Sequence, residues 1–318
     1  MEENGAAPRG ATVRFALGHV RKEKGHAMIQ TTNAARGAAF MLAAGASFAL
    51  INIAVQGATM KAGAGSTAVA FWQYLIALVF YIPWVLRHHR AALATGHKPL
   101  HVLRVVLAAI GVQFWIAGLA HVPIWQAIAL IMLSPFFVTL GAGLLLGERV
   151  TPIRWVAVIA GIFGGAIILE PWSDSFLITA LLPVAAAAFW AAHSLMTKRL
   201  TGVDSPETLT IYLLILLTPI NAALAFGSGF GLPNASLWMV AAAGLLTAAA
   251  QHFLVRAYSL ADAAFLQPFD HLKLPLNVVL GFLAFGFLPT GSMWLGTGII
   301  MAALFLLLRD ETRRAQPA

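Results

Sequence analysis

Long apolar segments recur along the whole chain, and they restrict its fold more than any other feature. A helix needs about 20 mostly apolar residues to cross the roughly 30 Å hydrocarbon core of a bilayer. Only 10% of the residues are charged, against about 25% in soluble domains. The sequence therefore predicts an all-α integral membrane protein with ten transmembrane helices, at residues 37–59, 67–86, 103–120, 124–146, 153–170, 176–196, 208–227, 236–258, 263–285 and 291–308.

Positive charges are distributed unevenly between the predicted loops. With the N-terminus in the cytoplasm, eighteen of the 20 Lys and Arg residues fall on the cytoplasmic side. Lys61 is then in an outer loop and Lys273 lies within a helix. Cytoplasmic loops of membrane proteins are enriched in Lys and Arg. We therefore predict that both termini are cytoplasmic, and that the net charge of +8 reflects topology rather than nucleic-acid binding.

A sequence repeat divides the predicted helices into two sets of five. Gly147, Thr151 and Trp155 are matched 139 residues later by Gly286, Thr290 and Trp294. An odd number of helices per repeat places the second copy in the opposite orientation, and the two arginines near Thr151 are absent near Thr290, as the charge rule requires. The sequence therefore predicts a 5+5 inverted repeat.

Four segments follow from these features. Residues 1–36 are predicted to form a flexible cytoplasmic tail, residues 37–170 the first repeat, residues 176–308 the second repeat, and residues 309–318 a cytoplasmic C-terminal tail. Both Met1 and Met28 remain open as the translation start, because the predicted fold needs nothing before Met28. No signal peptide is predicted, since no apolar region with a cleavage site follows the charges.

Gly147 and Glu148 close the fourth predicted helix, and Thr151 and Trp155 open the fifth. Together with the segment 263–275, which is similar to the ninth-helix signature of bacterial members, they resemble the drug/metabolite transporter superfamily, EamA type. The resemblance covers residues 37–309 and implies a multi-pass transporter of the bacterial cytoplasmic (inner) membrane.

Two positions depart from that family pattern. Phe287 stands where members usually repeat the Glu, and Gln73 lies in a second-helix segment where many members carry Arg. Roles that depend on those two charges are not carried over to this chain.

Charged and titratable side chains inside the predicted helices are few. A charge at membrane depth costs about 2.5–3.5 kcal/mol on insertion scales, so it usually faces a cavity or a partner. Asp270 and Lys273 share a helix face, and His193 and His252 lie in the sixth and eighth helices. They are candidates for binding solute or a coupling proton. A structural Asp270–Lys273 pair and structurally hydrogen-bonded histidines remain open as alternatives.

Neutral polar and aromatic residues complete the candidate site. We predict that Asn52, Gln113 and Trp190 line a cavity between the repeats, although packing remains an alternative for the aromatic ring. Glu148, Pro135 and Pro275 are predicted to have structural or gating roles.

These observations favour a secondary transporter that moves a small organic metabolite, such as an amino acid, amine or vitamin, by alternating access. Proton coupling and solute exchange both remain open. Its predicted partners are the solute and the lipid bilayer; no nucleic acid, cofactor or metal is predicted, and the oligomeric state is open. Cys is absent, which excludes disulfides and thiolate metal sites.

Two other classes of protein remain as alternatives. An intramembrane enzyme needs a nucleophile and a base that face each other. Ser194 directly follows His193, and adjacent helical residues point about 100° apart, so these two do not form such a pair. A non-transporting scaffold or regulator is the other alternative, and it predicts no flux of any solute.

Overall fold

The computed structural model describes residues 9–88, 90–146, 150–174, 176–200, 202–260, 266, 269 and 272–315. Within these ranges the regular elements are helices. The longer ones are α1 Arg9–Gln56, α2 Ser66–His88, α3 Lys98–His121, α4 Ile124–Ile131, α5 Ser134–Leu146, α6 Pro152–Leu169, α7 Leu182–Leu200, α8 Pro206–Ser228, α9 Leu237–Leu260, α10 Lys273–Phe285 and α11 Gly291–Ala315. A π-helical turn, Gly57–Lys61, continues α1.

Eight segments of the described chain are long and apolar enough to cross a membrane, and two shorter apolar helices follow them. This confirms the predicted all-helical, multi-pass character, while the 5+5 arrangement and the orientation of the termini stay predictions. The eight are Asn33–Lys61, Ser66–Arg87, Lys98–His121, Ile124–Leu144, Pro152–Leu169, Ile178–Leu200, Glu207–Ser228 and Asn234–Leu260, and the shorter two are Lys273–Phe285 and Gly291–Leu307.

The observed helices begin at residues other than those predicted in two of the segments. Helix α1 begins at Arg9, so helical backbone extends through most of the predicted tail, while the apolar stretch within it begins at Asn33. The ninth predicted segment, 263–285, lies partly outside the described residues, and its described helix begins at Lys273.

The fourth predicted segment contains a break. Helix α4 ends at Ile131 and α5 starts at Ser134, with 3₁₀-type bonds from Leu133 N to the Leu130 oxygen (3.1 Å) and from Phe136 N to the Leu133 oxygen (3.0 Å). Pro135 accounts for the break, because proline lacks the N–H that would bond to the Ile131 carbonyl oxygen, whereas the first turn of a new helix needs no such bond.

Side chains on the outer surface of the bundle are large and apolar. Ile159 and Phe163 on α6 are 64% and 60% exposed, and Phe305 on α11 is 64% exposed. Contiguous exposed apolar surface is unfavourable in water and matches the hydrocarbon of a bilayer.

Helix α1 packs against α9, and α3 packs against α7. Helix α2 packs on both α8 and α9, and α10 packs on α1. At the periphery, α6 crosses α11 so closely that a Cβ placed on Gly164 would lie 2.8 Å from the carbonyl oxygen of Gly296. Small residues permit this direct approach of two helix backbones in lipid.

Candidate functional site

Two asparagines from opposite halves of the chain bond to each other inside the bundle. Asn52 Nδ2 on α1 donates to Asn277 Oδ1 on α10 at 3.1 Å. The indole Nε1 of Trp115 on α3 donates to Asn52 Oδ1 at 3.3 Å, and Asn277 Nδ2 donates to the carbonyl oxygen of Lys273 at 2.6 Å. Both asparagines are buried, so these bonds connect α1, α3 and α10 in a water-poor interior.

A second pair of amides connects α3 to α8. Gln113 Nε2 donates to Asn221 Oδ1 at 3.1 Å. Asn221 has no exposed surface, and its Nδ2 has no hydrogen-bond partner among the described residues. An amide N–H pair buried without an acceptor is costly, so this nitrogen is available to a bound group.

A third amide connects α2 to α9. Gln73 Nε2 donates to Thr247 Oγ1 at 3.0 Å, and the Thr247 hydroxyl donates to the Ala243 carbonyl oxygen at 2.7 Å. Gln73 is 5% exposed, and its Oε1 has no partner within the described part of the chain. This side chain therefore presents a free acceptor in the interior.

Aromatic rings from α3 and α7 lie beside these amides. The ring centroids of Trp115 and Trp190 are 5.7 Å apart, and Phe114 stacks on Phe189 at 5.6 Å. Gly111 makes room for Trp190, because a Cβ at this position would overlap the indole ring. The half-buried Trp190 thus offers part of an aromatic wall to the interior.

These side chains combine hydrogen-bonding amides with flat aromatic surface, which is the chemistry that binds a planar, polar-edged solute. We refer to them together as the amide–indole belt, defined as Asn52, Gln73, Gln113, Trp115, Trp190, Asn221 and Asn277. At one end of the seam between α2 and α9, a cavity of about 220 Å³ is lined by Trp72, Ile76, Phe230, Leu232, Leu237, Val240 and Ala241.

Gln56 has a different role from the belt amides. Its Nε2 donates to the carbonyl oxygens of Leu119 (3.2 Å) and Val122 (2.7 Å), and its Oε1 accepts from the Ile124 N–H at 3.2 Å. These bonds satisfy backbone groups where the chain turns from α3 into α4. Gln56 is therefore a structural anchor.

A charged cluster lies at the end of the bundle where α3 begins and α7 ends. Arg104 is buried and donates through Nη2 to the Leu209 carbonyl oxygen at 2.8 Å. His101 Nε2 lies 2.9 Å from Asp204 Oδ2, and Arg104 Nη2 lies 3.4 Å from His101 Nδ1. Because arginine only donates, Nδ1 is the acceptor and Nε2 carries the proton that bonds to Asp204. We call Arg104, His101, Asp204, His193 and Thr197 the Arg104 cluster.

Asp204 lies in the loop between α7 and α8, and its carboxylate is held in the ionised form. Thr95 Oγ1 also donates to Oδ2, at 3.0 Å. Burial acts to raise the pKa of Asp204, but hydrogen bonds from His101 and Thr95 act against it, and the pKa is below the ordinary 3.8.

The two predicted histidines lie away from the belt contacts. His193 Nδ1 is 3.0 Å from the Arg104 carbonyl oxygen, and Thr197 Oγ1 lies 3.5 Å from Nε2. His252 packs edge-on against Trp84, with ring centroids 5.3 Å apart. His193 therefore belongs to the Arg104 cluster, and a coupling role for either histidine stays a prediction.

Three of the remaining predicted site residues lie within the described residues, and two lie outside them. Lys273 is half-buried and contributes its backbone carbonyl to Asn277. Pro135 and Pro275 are exposed and lie in the first turns of α5 and α10. Asp270 and Glu148 lie outside the described residues, so their predicted roles stay predictions.

Of the predicted residues, Asn52, Gln113 and Trp190 are in the belt. Sequence reasoning missed Asn221 and Asn277, which complete the amide pairs, and Asp204, which anchors the charged cluster. A signal was present for the two asparagines: each is a lone amide within an apolar run, where an unpaired polar group is unfavourable. Asp204 gave no such signal, because acidic residues are common in loops.

Comparisons with known proteins identify transporters as the relatives of this chain. The model of the EamA-like transporter family matches residues 35–170 and 177–309. A riboflavin transporter of Rhizobium johnstonii is 53% identical over 287 residues, which cover 90% of this chain and 95% of that protein. A riboflavin transporter of Vibrio cholerae is 48% identical over 285 residues, covering 88% and 95%.

One solved crystal structure of a protein shares the architecture. It superposes with a TM-score of 0.59 at 18% sequence identity, covering 86% of this chain and 99% of the other. At this identity, the likeness shows the fold alone.

Proposed function

We propose that this chain, which belongs to the EamA-like transporter family, carries riboflavin across the membrane. Its relatives are transporters of small metabolites, and this protein is accordingly a membrane transporter rather than an enzyme. The observation that carries the choice of solute is the similarity, over about nine-tenths of the chain, to curated riboflavin transporters.

The amide–indole belt supports this choice of solute. Riboflavin combines a flat, three-ring aromatic system with one edge that carries two carbonyl groups and an N–H. Indole and phenyl rings stack on such a system. Side-chain amides, which both donate and accept, match its edge.

We further propose that the two halves are inverted repeats that alternate around the belt. The helix pairs support this. Helix α1 of the first half packs against α9 of the second half, and their predicted equivalents, α7 of the second half and α3 of the first, also pack against each other. Helices α2 and α8, and helices α6 and α11, pair with their own counterparts. Such exchange of equivalent partners is what a two-fold axis in the membrane plane produces.

The proposed setting is the bacterial cytoplasmic membrane with both termini inside. The uneven placement of Lys and Arg supports this orientation. The Arg104 cluster then lies at the cytoplasmic end of the bundle.

Riboflavin flux into proteoliposomes containing the purified full chain tests the solute. Uptake should saturate and exceed uptake by protein-free liposomes, with internal riboflavin measured by its fluorescence after filtration. Imposed pH gradients and preloaded riboflavin separate proton coupling, exchange and simple downhill movement. Flux equal to that of protein-free liposomes, under all of these conditions and with protein that elutes as a single folded species, contradicts the proposal.

A further inference from the structure

We propose that Gln73 and Asn221 recognise the polar edge of the flavin ring, with Gln73 Oε1 accepting the ring N3–H and Asn221 Nδ2 donating to a neighbouring ring carbonyl. The inference rests on the proposed function and deepens it, because it names the residues that distinguish a flavin from other flat solutes.

The first support is that both atoms are buried without a partner in the described part of the chain. Gln73 is 5% exposed and Asn221 is wholly buried, yet Gln73 Oε1 and Asn221 Nδ2 make no hydrogen bond there. In a membrane interior an unsatisfied polar group is strongly unfavourable, so both atoms are candidates for contact with a bound group.

The orientation of the Gln73 amide is fixed by its neighbour. The Thr247 hydroxyl donates its only proton to the Ala243 carbonyl oxygen, so towards Gln73 it acts only as an acceptor. The Gln73 NH₂ group must therefore face Thr247, which leaves Oε1 as the free end. A free oxygen recognises an N–H, and the flavin edge offers one.

The two amides lie at the same depth on neighbouring helices. Helices α2 and α8 run antiparallel, since Thr67 bonds to Ser228 while Ala77 packs in one cluster with Leu214. Gln73 is six residues from Thr67 and Asn221 is seven from Ser228, or about 9 Å and about 10 Å along each axis at ~1.5 Å per residue.

Both amides also lie on the inward stripes of their helices. Ala70, Gln73 and Ala77 are buried at helical spacing on α2, as are Leu214, Leu217 and Asn221 on α8. Ala70 and Leu217 belong to the same core cluster. An acceptor and a donor are thus presented at one level, and they are complementary to the N–H and C=O groups of a flavin edge.

The proposal is tested with 3-methylriboflavin, which lacks the N3–H. A site built around a hydrogen bond rejects the analogue that lacks it, so wild-type transport efficiency should be about 10- to 100-fold higher for riboflavin. In Gln73→Leu that ratio should fall to within about twofold of unity, mainly through loss of riboflavin transport. Leucine is close to glutamine in volume, so a purely steric rejection of the methyl group would survive the substitution.

Thr247→Val supplies a second variant that keeps the glutamine but loosens its orientation. Its riboflavin to 3-methylriboflavin ratio should fall between those of wild type and Gln73→Leu. Gln126→Leu is the matched control, because Gln126 on α4 donates to the Ile168 carbonyl oxygen, away from the α2–α8 seam. Its ratio should equal that of wild type.

Equal transport of both flavins by wild type overturns the inference and leaves the proposed function standing. An unchanged ratio in Gln73→Leu also overturns it, as does an unchanged ratio in Thr247→Val if the leucine variant fails to fold. Absence of riboflavin flux in wild type overturns both proposals.

Discussion

The amide–indole belt and the Arg104 cluster are both polar groups enclosed in an apolar bundle, but they differ in how fully their hydrogen bonds are used. Arg104, apart from its Nε atom, donates to neighbours on α3, α7 and α8, and the Asp204 carboxylate accepts from two side chains. In the belt, neutral amides leave one acceptor and one donor without a partner among the described residues. Buried charges here hold helices together, and neutral groups are available to a solute.

The largest expected effect tests the structural side of that comparison. Arg104→Met should destabilise the protein by about 3–5 kcal/mol, because it removes the donor to His101 and to the Leu209 carbonyl and leaves both buried without it. Thermal unfolding in detergent, followed by size-exclusion chromatography, measures the loss. Asn221→Leu is the belt counterpart, and it should retain most of the stability while losing transport. A stable Arg104→Met protein would remove the distinction between the two regions.

A smaller effect is expected where the two regions meet on the α3–α7 seam. Gly111→Ala places a Cβ against the Trp190 ring, so the indole must move away from Trp115. Riboflavin transport should fall about tenfold, which corresponds to about 1.4 kcal/mol. Initial rates in proteoliposomes measure it.

The control for this substitution is Gly298→Ala on α11. A Cβ at Gly298 meets no atom of the described residues within 4 Å. Its transport should match that of wild type. Equal rates in the Gly111 and Gly298 variants would show that the position of Trp190 does not matter to the solute.

Asp204→Asn should have a moderate effect that depends on pH. A hydrogen bond to a charged group contributes about 1.5–3 kcal/mol, and the amide retains part of it, so a loss of about 1–2 kcal/mol is expected at neutral pH. Because the folded-state pKa of Asp204 is depressed, its stabilising contribution is present above its ordinary 3.8 and is lost as the pH falls below that value. Wild type should therefore lose melting temperature on acidification more steeply than the variant. Parallel curves between about pH 6 and about pH 3 would contradict this account of the cluster.

The smallest effect is expected at His252, which belongs to neither region. His252→Phe keeps a ring in contact with Trp84, so transport and its dependence on pH should stay within about twofold of wild type. Initial rates at several external pH values measure this. A variant whose transport no longer responds to a proton gradient would instead assign the coupling role to this histidine.

The sequence predicted the class of fold and the kind of function because both depend on patterns that survive without coordinates. Apolar length predicts helices that span a membrane, and the Gly147–Trp155 motif identified the family. Asn52, Gln113 and Trp190 were recognised because polar or bulky groups in apolar runs need partners. The partners themselves, Asn277 and Asn221, were not predicted, since they lie 225 and 108 residues away along the chain.

His193 shows a second limit of sequence reasoning. Its residue type fits proton transfer, and only the structure shows that its Nδ1 lies 3.0 Å from the Arg104 carbonyl oxygen, while the coupling role stays a prediction. The break at Pro135 shows a third limit: proline is tolerated within membrane helices, so its presence alone does not tell a continuous helix from two helices.

The contact between α6 and α11 is formed by backbone rather than by the side chains that are proposed to select the solute. At Gly164 and Gly296 the two halves meet main chain to main chain, with no side chain between them. Such a backbone contact has no chemical preference for any solute, and substitutions in the amide–indole belt leave it unchanged. We therefore expect related proteins to differ in solute through a few interior amides and rings while this backbone contact is retained.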